Sequence, residues 1–292
     1  MTDDPGRTAR SDRPAPPEAL PAPVVDNHAH LDHTRRGDEP LTLEEALAAA
    51  AAVGVTRVVQ IGCELDSARW TVDVVDRHPQ VLGGVALHPT EATQLVADGG
   101  PAALEAALAE IEALAAHPRI RVVGETGLDH HWVGPDDVAG RAAQETSFRA
   151  HIAMAKRLGR VLQIHDRDAH DDVLRVLAEE GAPERTVFHC FSGDAAMARF
   201  CADQGWYLSF AGTLTFRNAG ALREALLAVP PGQVLVETDA PYLAPVPHRG
   251  RPNASYLVPL TVRCMAEVLG RDLGEVCATL DATSERLYGP WT

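Results

Sequence analysis

An α/β fold, a (β/α)8 TIM barrel in a single domain, is what this sequence predicts, and three observations carry the prediction. Short apolar runs alternate along the chain with longer Ala- and Leu-rich amphipathic stretches, the pattern of parallel strands joined by helices. A length of 292 residues is long for an ordinary domain but normal for one barrel. The turn after the first strand is where an open doubly wound sheet usually carries a glycine-rich phosphate loop; here it holds Asn27-His28-Ala29-His30.

The elements follow in order. Residues 1–23 are rich in Pro, Asp, Arg and Ala and lack an apolar core of the signal-peptide kind, so a disordered N-terminal tail is expected there. One domain is expected over 24–292, with no internal repeat. Strands are predicted at 24–26, 56–61, 81–87, 121–124, 161–164, 186–188, 206–210 and 233–236. Helical periodicity falls at 43–53, 67–77, 102–116, 144–158, 169–179, 195–204 and 219–228, with two further helices at 256–269 and 273–287. Hydrophobic residues make up 46% of the chain and aromatics only 5%, so the core must be built from Ala, Val and Leu.

Composition narrows the function classes. The formal charge of −15 opposes extensive, sequence-independent gripping of a long duplex, yet allows a local cationic pocket built on metal ions. No apolar run has membrane-spanning length. The five cysteines are odd in number and include no C-x-x-C, which argues against a disulfide framework and for a cytoplasmic protein. A monomer is the expected state.

The histidines carry the functional signal. In V-V-D-N-H-A-H-L-D (24–32), His28 and His30 are two residues apart at the end of an apolar strand, so their side chains share a face. Candidate ligands then recur at the C-terminal ends of later strands, where barrel enzymes build their sites: His88, Glu125, His165, His189, and the pair Glu237 and Asp239. Any one of them has a duller explanation; His189 alone would pass for a hydrogen-bonded core histidine. As a set, His28, His30, Glu125, His165, His189 and Asp239 are too many for one catalytic zinc and suit two divalent cations. Glu125 is then the bridge, with His28, His30 and Asp239 on one ion and His165 and His189 on the other. Two such ions clamp the attacking and leaving oxygens of a displacement and lower the pKa of a bound water to near neutrality. Glu125 and Asp239 are the candidate catalytic residues, Asp239 orienting that water or taking its proton. The donor types leave zinc, manganese, iron or magnesium open as the metal, and the mix of nitrogen and oxygen leans towards zinc or manganese. His88, followed by Pro89 and Thr90, reads as substrate-facing or supporting. His33, His78, His117, His151 and His170 read as solvated.

Six ordered motifs resemble those of the TatD family of metal-dependent hydrolases within the amidohydrolase superfamily: D-N-H-A-H-L-D (26–32), G-V-A-L-H-P (84–89), G-E-T-G-L-D (124–129), I-H-D-R-D-A (164–169), F-H-C-F-S-G (188–193) and E-T-D-A-P-Y-L-A-P (237–245). The resemblance implies a (β/α)8 barrel, two divalent ions and phosphodiester hydrolysis, as a deoxyribonuclease with 3'-5' exonuclease character. It also implies the ligand set above, with Glu125 bridging. The chain departs from the family pattern at His130 and His131, where aromatics usually follow G-L-D, at Asp166, where Ser is common, and at Ser255, where proline is common. These positions bear on the substrate pocket and not on the proposed ligands.

For the substrate, Arg167 and Arg249 are candidate phosphate partners, and Trp132, Tyr242 and Phe191 candidate stacking surfaces. A DNA single strand or strand end, or a small phosphodiester, is the expected partner, with no membrane. The alternative is a metal-dependent ester or amide hydrolase, such as a D-aminoacyl-tRNA deacylase, because the same activated water attacks a carbonyl as well as a phosphorus.

Overall fold

The computed structural model describes residues 13–291. Eight parallel strands run in sequence order: β1 (Val24–Ala29), β2 (Val55–Gly62), β3 (Val81–Val85), β4 (Ile120–Asp129), β5 (Val161–Arg167), β6 (Thr186–Phe188), β7 (Tyr207–Phe210) and β8 (Val234–Val236). Between and after them lie helices α1 (Leu43–Ala52), α2 (Leu65–Arg77), α3 (Pro89–Ala115), α4 (Val138–Leu158), α5 (His170–Glu180), α6 (Ala195–Asp203), α7 (Gly220–Ala228), α8 (Val258–Leu269) and α9 (Leu273–Tyr288). The seam between β1 and β8 closes through a parallel bridge from Ala29 to Ala240. It is reinforced where Asn27 Nδ2 donates to Val236 O at 2.8 Å and His30 N to Ala240 O at 2.8 Å. This is the (β/α)8 barrel that the alternating pattern predicts.

Strand alternation sorts the apolar residues into two cores. One set, including Val25, Val59, Ile61, Leu82, Val122, Val161, Val187 and Leu235, forms a cluster of its own from strands around the ring, joined by Tyr288 and Trp291. The larger set packs the outer faces of the strands against the helices. Among the described residues no helix is long and apolar enough to cross a membrane.

Several boundaries differ from the sequence expectation. Strand β4 continues to Asp129, because 126–129 pair with 164–167 of β5. Between Val123 and Thr126 the register slips against β5, and such a slip re-aims the side chains within it; Glu125 lies there. Gly127 is required just beyond it: φ is 145°, and a Cβ would stand 2.0 Å from His165 O. Helix α3 begins at Pro89, a turn after β3, with the His88 side chain accepting from Thr90 N as its cap, and it bends at Gly100 (φ 71°) before Pro101. Periodicity alone had marked only its second limb.

Of the tail expected to be disordered, residues 1–12 lie outside the described residues. The remainder packs on the barrel. Leu20 is buried, its N–H donates to Val53 O at 3.0 Å, Tyr256 Oη donates to Pro14 O at 2.8 Å, and Arg263 Nη2 to Ala19 O at 3.1 Å. An extended Pro-rich segment makes no internal hydrogen bonds, so its carbonyls are free to take donors from the domain.

Candidate metal centre

Six strands and the loops after them deliver one cluster at the C-terminal mouth. Glu125 lies at its middle: Oε2 is 2.9 Å from His28 Nε2 and 3.0 Å from His189 Nε2, while Oε1 is 3.3 Å from His165 Nδ1 and 3.1 Å from His88 Nε2. His30 Nε2 is 3.2 Å from His28 Nε2 and 3.5 Å from Asp239 Oδ1. The His28 and His189 rings stack with centroids 4.0 Å apart. Asp239 is held in the left-handed region (φ 55°), and its N–H donates to His28 O at 3.0 Å. A non-glycine residue held there is the kind of backbone strain that concentrates at functional sites.

The outer hydrogen bonds fix which nitrogen of each ring is bare. His28 Nδ1 donates to Gln163 Oε1 at 2.8 Å, an amide oriented by its own donation to Asn27 O. His30 Nδ1 donates to Ile61 O at 2.9 Å. His165 Nε2 faces Asp129 Oδ2 at 3.1 Å, and His189 Nδ1 faces Glu237 Oε1 at 3.2 Å. Each neutral ring therefore turns a lone pair inward, towards carboxylate oxygens or another lone pair. Glu125 Oε2 is buried and, among the described residues, meets only these imidazole nitrogens. Lone pairs facing one another this closely require positive charge between them, so the donor set fits divalent cations.

The titration directions express the same need. Burial works against charge on His30 and His189, yet both stand well above the usual imidazole value. Cys63 and Asp239 outweigh burial at His30, and Glu125 and Glu237 at His189. Burial would raise Glu125, but His189 and the bonds from His165 and His28 hold it well below the usual carboxylate range. Asp239 is likewise lowered against burial, chiefly by His30. Groups whose donor atoms lie within 4.8 Å of one another include His28, His30, Glu125 and Asp239, and Glu125, His165 and His189. All six residues of the sequence-derived set thus come together.

His88 is different. Its Nδ1 accepts from Thr90 N at 3.1 Å, so Nε2 carries the proton and donates to Glu125 Oε1. Burial and the neighbouring His165 lower its pKa, which keeps it a neutral donor.

The cluster opens into a cavity of about 810 Å³, whose lining includes Asp32, Glu64, Glu91, Trp132, Asp166, Arg167 and Tyr242, a size suited to a small ligand. Arg167 is the single guanidinium or ammonium group on that lining among the described residues, and it lies over the Trp132 ring at 5.5 Å. Trp132 and Tyr242 are exposed. Arg249, the other expected phosphate partner, is not on the lining; its guanidinium packs over Phe216 at 4.6 Å. Phe191 is buried and offers no stacking face. His151 is not solvated as expected but fully buried, with Leu87 N donating to Nε2 at 3.3 Å and Nδ1 donating to Ser147 O at 2.8 Å. Of the departures from the family pattern, Asp166 lines the cavity and accepts from His170 Nδ1 at 2.7 Å, whereas His130, His131 and the buried Ser255 are not on the lining.

The sequence reading passed over Asp129, Gln163 and the role of Glu237. Asp129 had a signal: four residues beyond Glu125 on one strand, it shares that residue's face. Gln163 and Glu237 had none beyond being polar within or at the end of apolar strands.

A barrel with a histidine and carboxylate cluster at its C-terminal mouth is the architecture of a metal-dependent barrel enzyme. The profile of the TatD-related DNases matches residues 25–289, and the chain belongs to that family. It is 48% identical over 267 residues to the uncharacterized metal-dependent hydrolase TatD of Mycobacterium tuberculosis, covering 91% of this chain and 98% of that protein. It is 32% identical over 254 residues to the 3'-5' ssDNA/RNA exonuclease TatD of Citrobacter rodentium, covering 84% and 91%. The crystal structure of the Escherichia coli TatD homologue YjjV superposes with a TM-score of 0.79 at 23% identity, over 91% of this chain and 98% of that one. The protein is therefore a metal-dependent hydrolase.

Proposed function

We propose that the protein is a dinuclear phosphodiesterase that removes nucleotides from the 3' end of single-stranded DNA. The observation that carries this reading is Glu125: one buried carboxylate reached by four imidazole nitrogens at 2.9–3.3 Å, three of them bare. His28, His30 and Asp239 would hold one ion and His165 and His189 the other, with Glu125 shared, a division supported by two donor groups that have only Glu125 in common. Bound there, zinc, manganese or magnesium would acidify a water and neutralise charge on the scissile phosphate. Asp239, partly open to the cavity, orients the attacking water and takes its proton. His88 holds Glu125 in place through its Nε2–H. Arg167 pairs with a phosphate oxygen, and Trp132 and Tyr242 offer faces to unstacked bases.

The cavity lining supports an end-acting enzyme. A single guanidinium among several carboxylates cannot track a long backbone, and the net charge of −15 repels one. The name of the Citrobacter rodentium relative agrees with this polarity and substrate.

The test is metal analysis of freshly purified protein, followed by digestion of 5'-labelled single-stranded DNA with and without chelator. Metal-dependent shortening from the 3' end is expected. Inactivity on DNA and small phosphodiesters, with turnover of a D-aminoacyl-tRNA ester, would replace this reading with the deacylase.

A further inference from the structure

The four inward-facing imidazoles divide by what stands behind them. His28 and His30 donate to neutral acceptors, the Gln163 amide oxygen at 2.8 Å and the Ile61 carbonyl at 2.9 Å. His165 and His189 donate to carboxylates, Asp129 Oδ2 at 3.1 Å and Glu237 Oε1 at 3.2 Å. Direct carboxylate donors divide the opposite way. Asp239 stands with His28 and His30, whereas the donor group of His165 and His189 holds no carboxylate except the shared Glu125. Beyond the shared Glu125, negative charge would therefore be in contact with an ion in the first half, and in the second it is set back by the width of one imidazole.

Glu237 makes the point most sharply. It is fully buried. Its Oε1 accepts from Cys190 N at 2.8 Å as well as from His189, and among the described residues its Oε2 has no hydrogen-bond partner. The ion pairs found among the described residues include no Lys or Arg within reach of Glu237 or Asp129; their partners are His189 and His165. A buried carboxylate without a cationic partner is costly. A cation beyond the imidazole supplies that partner, and the carboxylate in turn makes the ring a stronger ligand.

Building on the two-ion reading above, we infer that Glu237 and Asp129 set the affinity of the second ion, acting as positioning residues through His189 and His165. The first ion draws its negative charge from Asp239 and is indifferent to them.

The two variants separate charge from tautomer. In Glu237→Gln the amide oxygen can keep both hydrogen bonds at Oε1 while the NH2 takes the place of the bare Oε2, so only the charge is lost. In Asp129→Asn the oxygen stays with the N–H groups of His131 and Trp132, at 3.0 and 2.8 Å. The NH2 then faces His165 Nε2 and turns that ring's lone pair away from the site. The experiment is a Mn2+ titration of the full-length chain by equilibrium dialysis and electron paramagnetic resonance, with circular dichroism as the folding check. Wild type is expected to bind two ions with a spin-coupled signal. Glu237→Gln should weaken the second ion by about 10- to 100-fold, leaving an isolated-ion signal at limiting metal and an unchanged first ion. Asp129→Asn should do the same at least as strongly, and it decides alone if Glu237→Gln does not fold. Two ions bound by a folded variant with wild-type affinities, or a loss shared equally by both ions, overturns the inference. A wild-type chain that binds one ion overturns the two-ion reading itself.

Discussion

The two mouths of the barrel are made by the same eight strands and carry opposite chemistry. At the C-terminal mouth, buried His28, Glu125 and His189 crowd together with lone pairs unmet. At the other mouth, the interior apolar cluster is completed by Tyr288 and Trp291 from the end of the chain. Arg57 lies over the Trp291 ring at 5.3 Å, and Arg119 Nη1 donates to its carbonyl at 2.7 Å. One mouth spends stability on polar groups held for chemistry, and the other returns it through packing. Function and stability are thus separable by position along each strand, as is general for this fold.

The largest effect is expected at Glu125. Replacing it with Ala removes the carboxylate that binds the cluster together and should cost roughly 10³-fold in kcat/KM, about 4 kcal/mol of transition-state stabilisation. The barrel should still fold, with unchanged circular dichroism, since the strand pairing and the two apolar clusters do not involve that carboxylate. A large fall in Tm would mean that the cluster is structural. At the opposite mouth, Trp291→Ala should lower unfolding free energy by about 3 kcal/mol in urea titrations. The folded fraction should keep wild-type kcat/KM, and a selective loss of activity would merge the two mouths into one functional unit.

Between the mouths and the helices, His151 offers a pH handle. Burial pushes it down to about 4, while the unfolded chain titrates near 6.5. The unfolded state therefore binds the proton first, and stability contributed by neutral His151 is lost as pH falls from about 6.5 towards 4. From pH 7 to 5 the loss from this group is about 2 kcal/mol. The difference in urea midpoints between wild type and His151→Gln should shrink accordingly over that interval; a constant difference would show that the buried ring titrates as it does in the unfolded chain. On the cavity rim, Trp132→Ala should raise KM for single-stranded DNA about fivefold, the loss of roughly 1 kcal/mol of stacking, with kcat unchanged. Arg249→Ala, remote from the lining, should leave both constants as they are; a raised KM would extend the site past the cavity.

The alternation of apolar runs and helical stretches determined the barrel, because a strand followed by a helix can return to a parallel sheet in essentially one way. The same alternation placed His28, His30, His165, His189, Glu125 and Asp239 at one end of their strands, since side-chain direction along a strand has a period of two. The sequence by itself therefore determined which ligand types could meet. Only the tertiary structure decided how they meet. The register slip that aims Glu125 inward arises from pairing between β4 and β5, and the bare nitrogen on each ring is chosen by Gln163, Ile61, Asp129 and Glu237. It also decided the fates of His151, on the buried face of α4, and of Arg249, turned onto Phe216. The physical reason is the same in each case. Periodicity encodes the direction of a side chain from its own backbone, whereas hydrogen-bond partners and burial are set by residues far away in the chain, which no local pattern records.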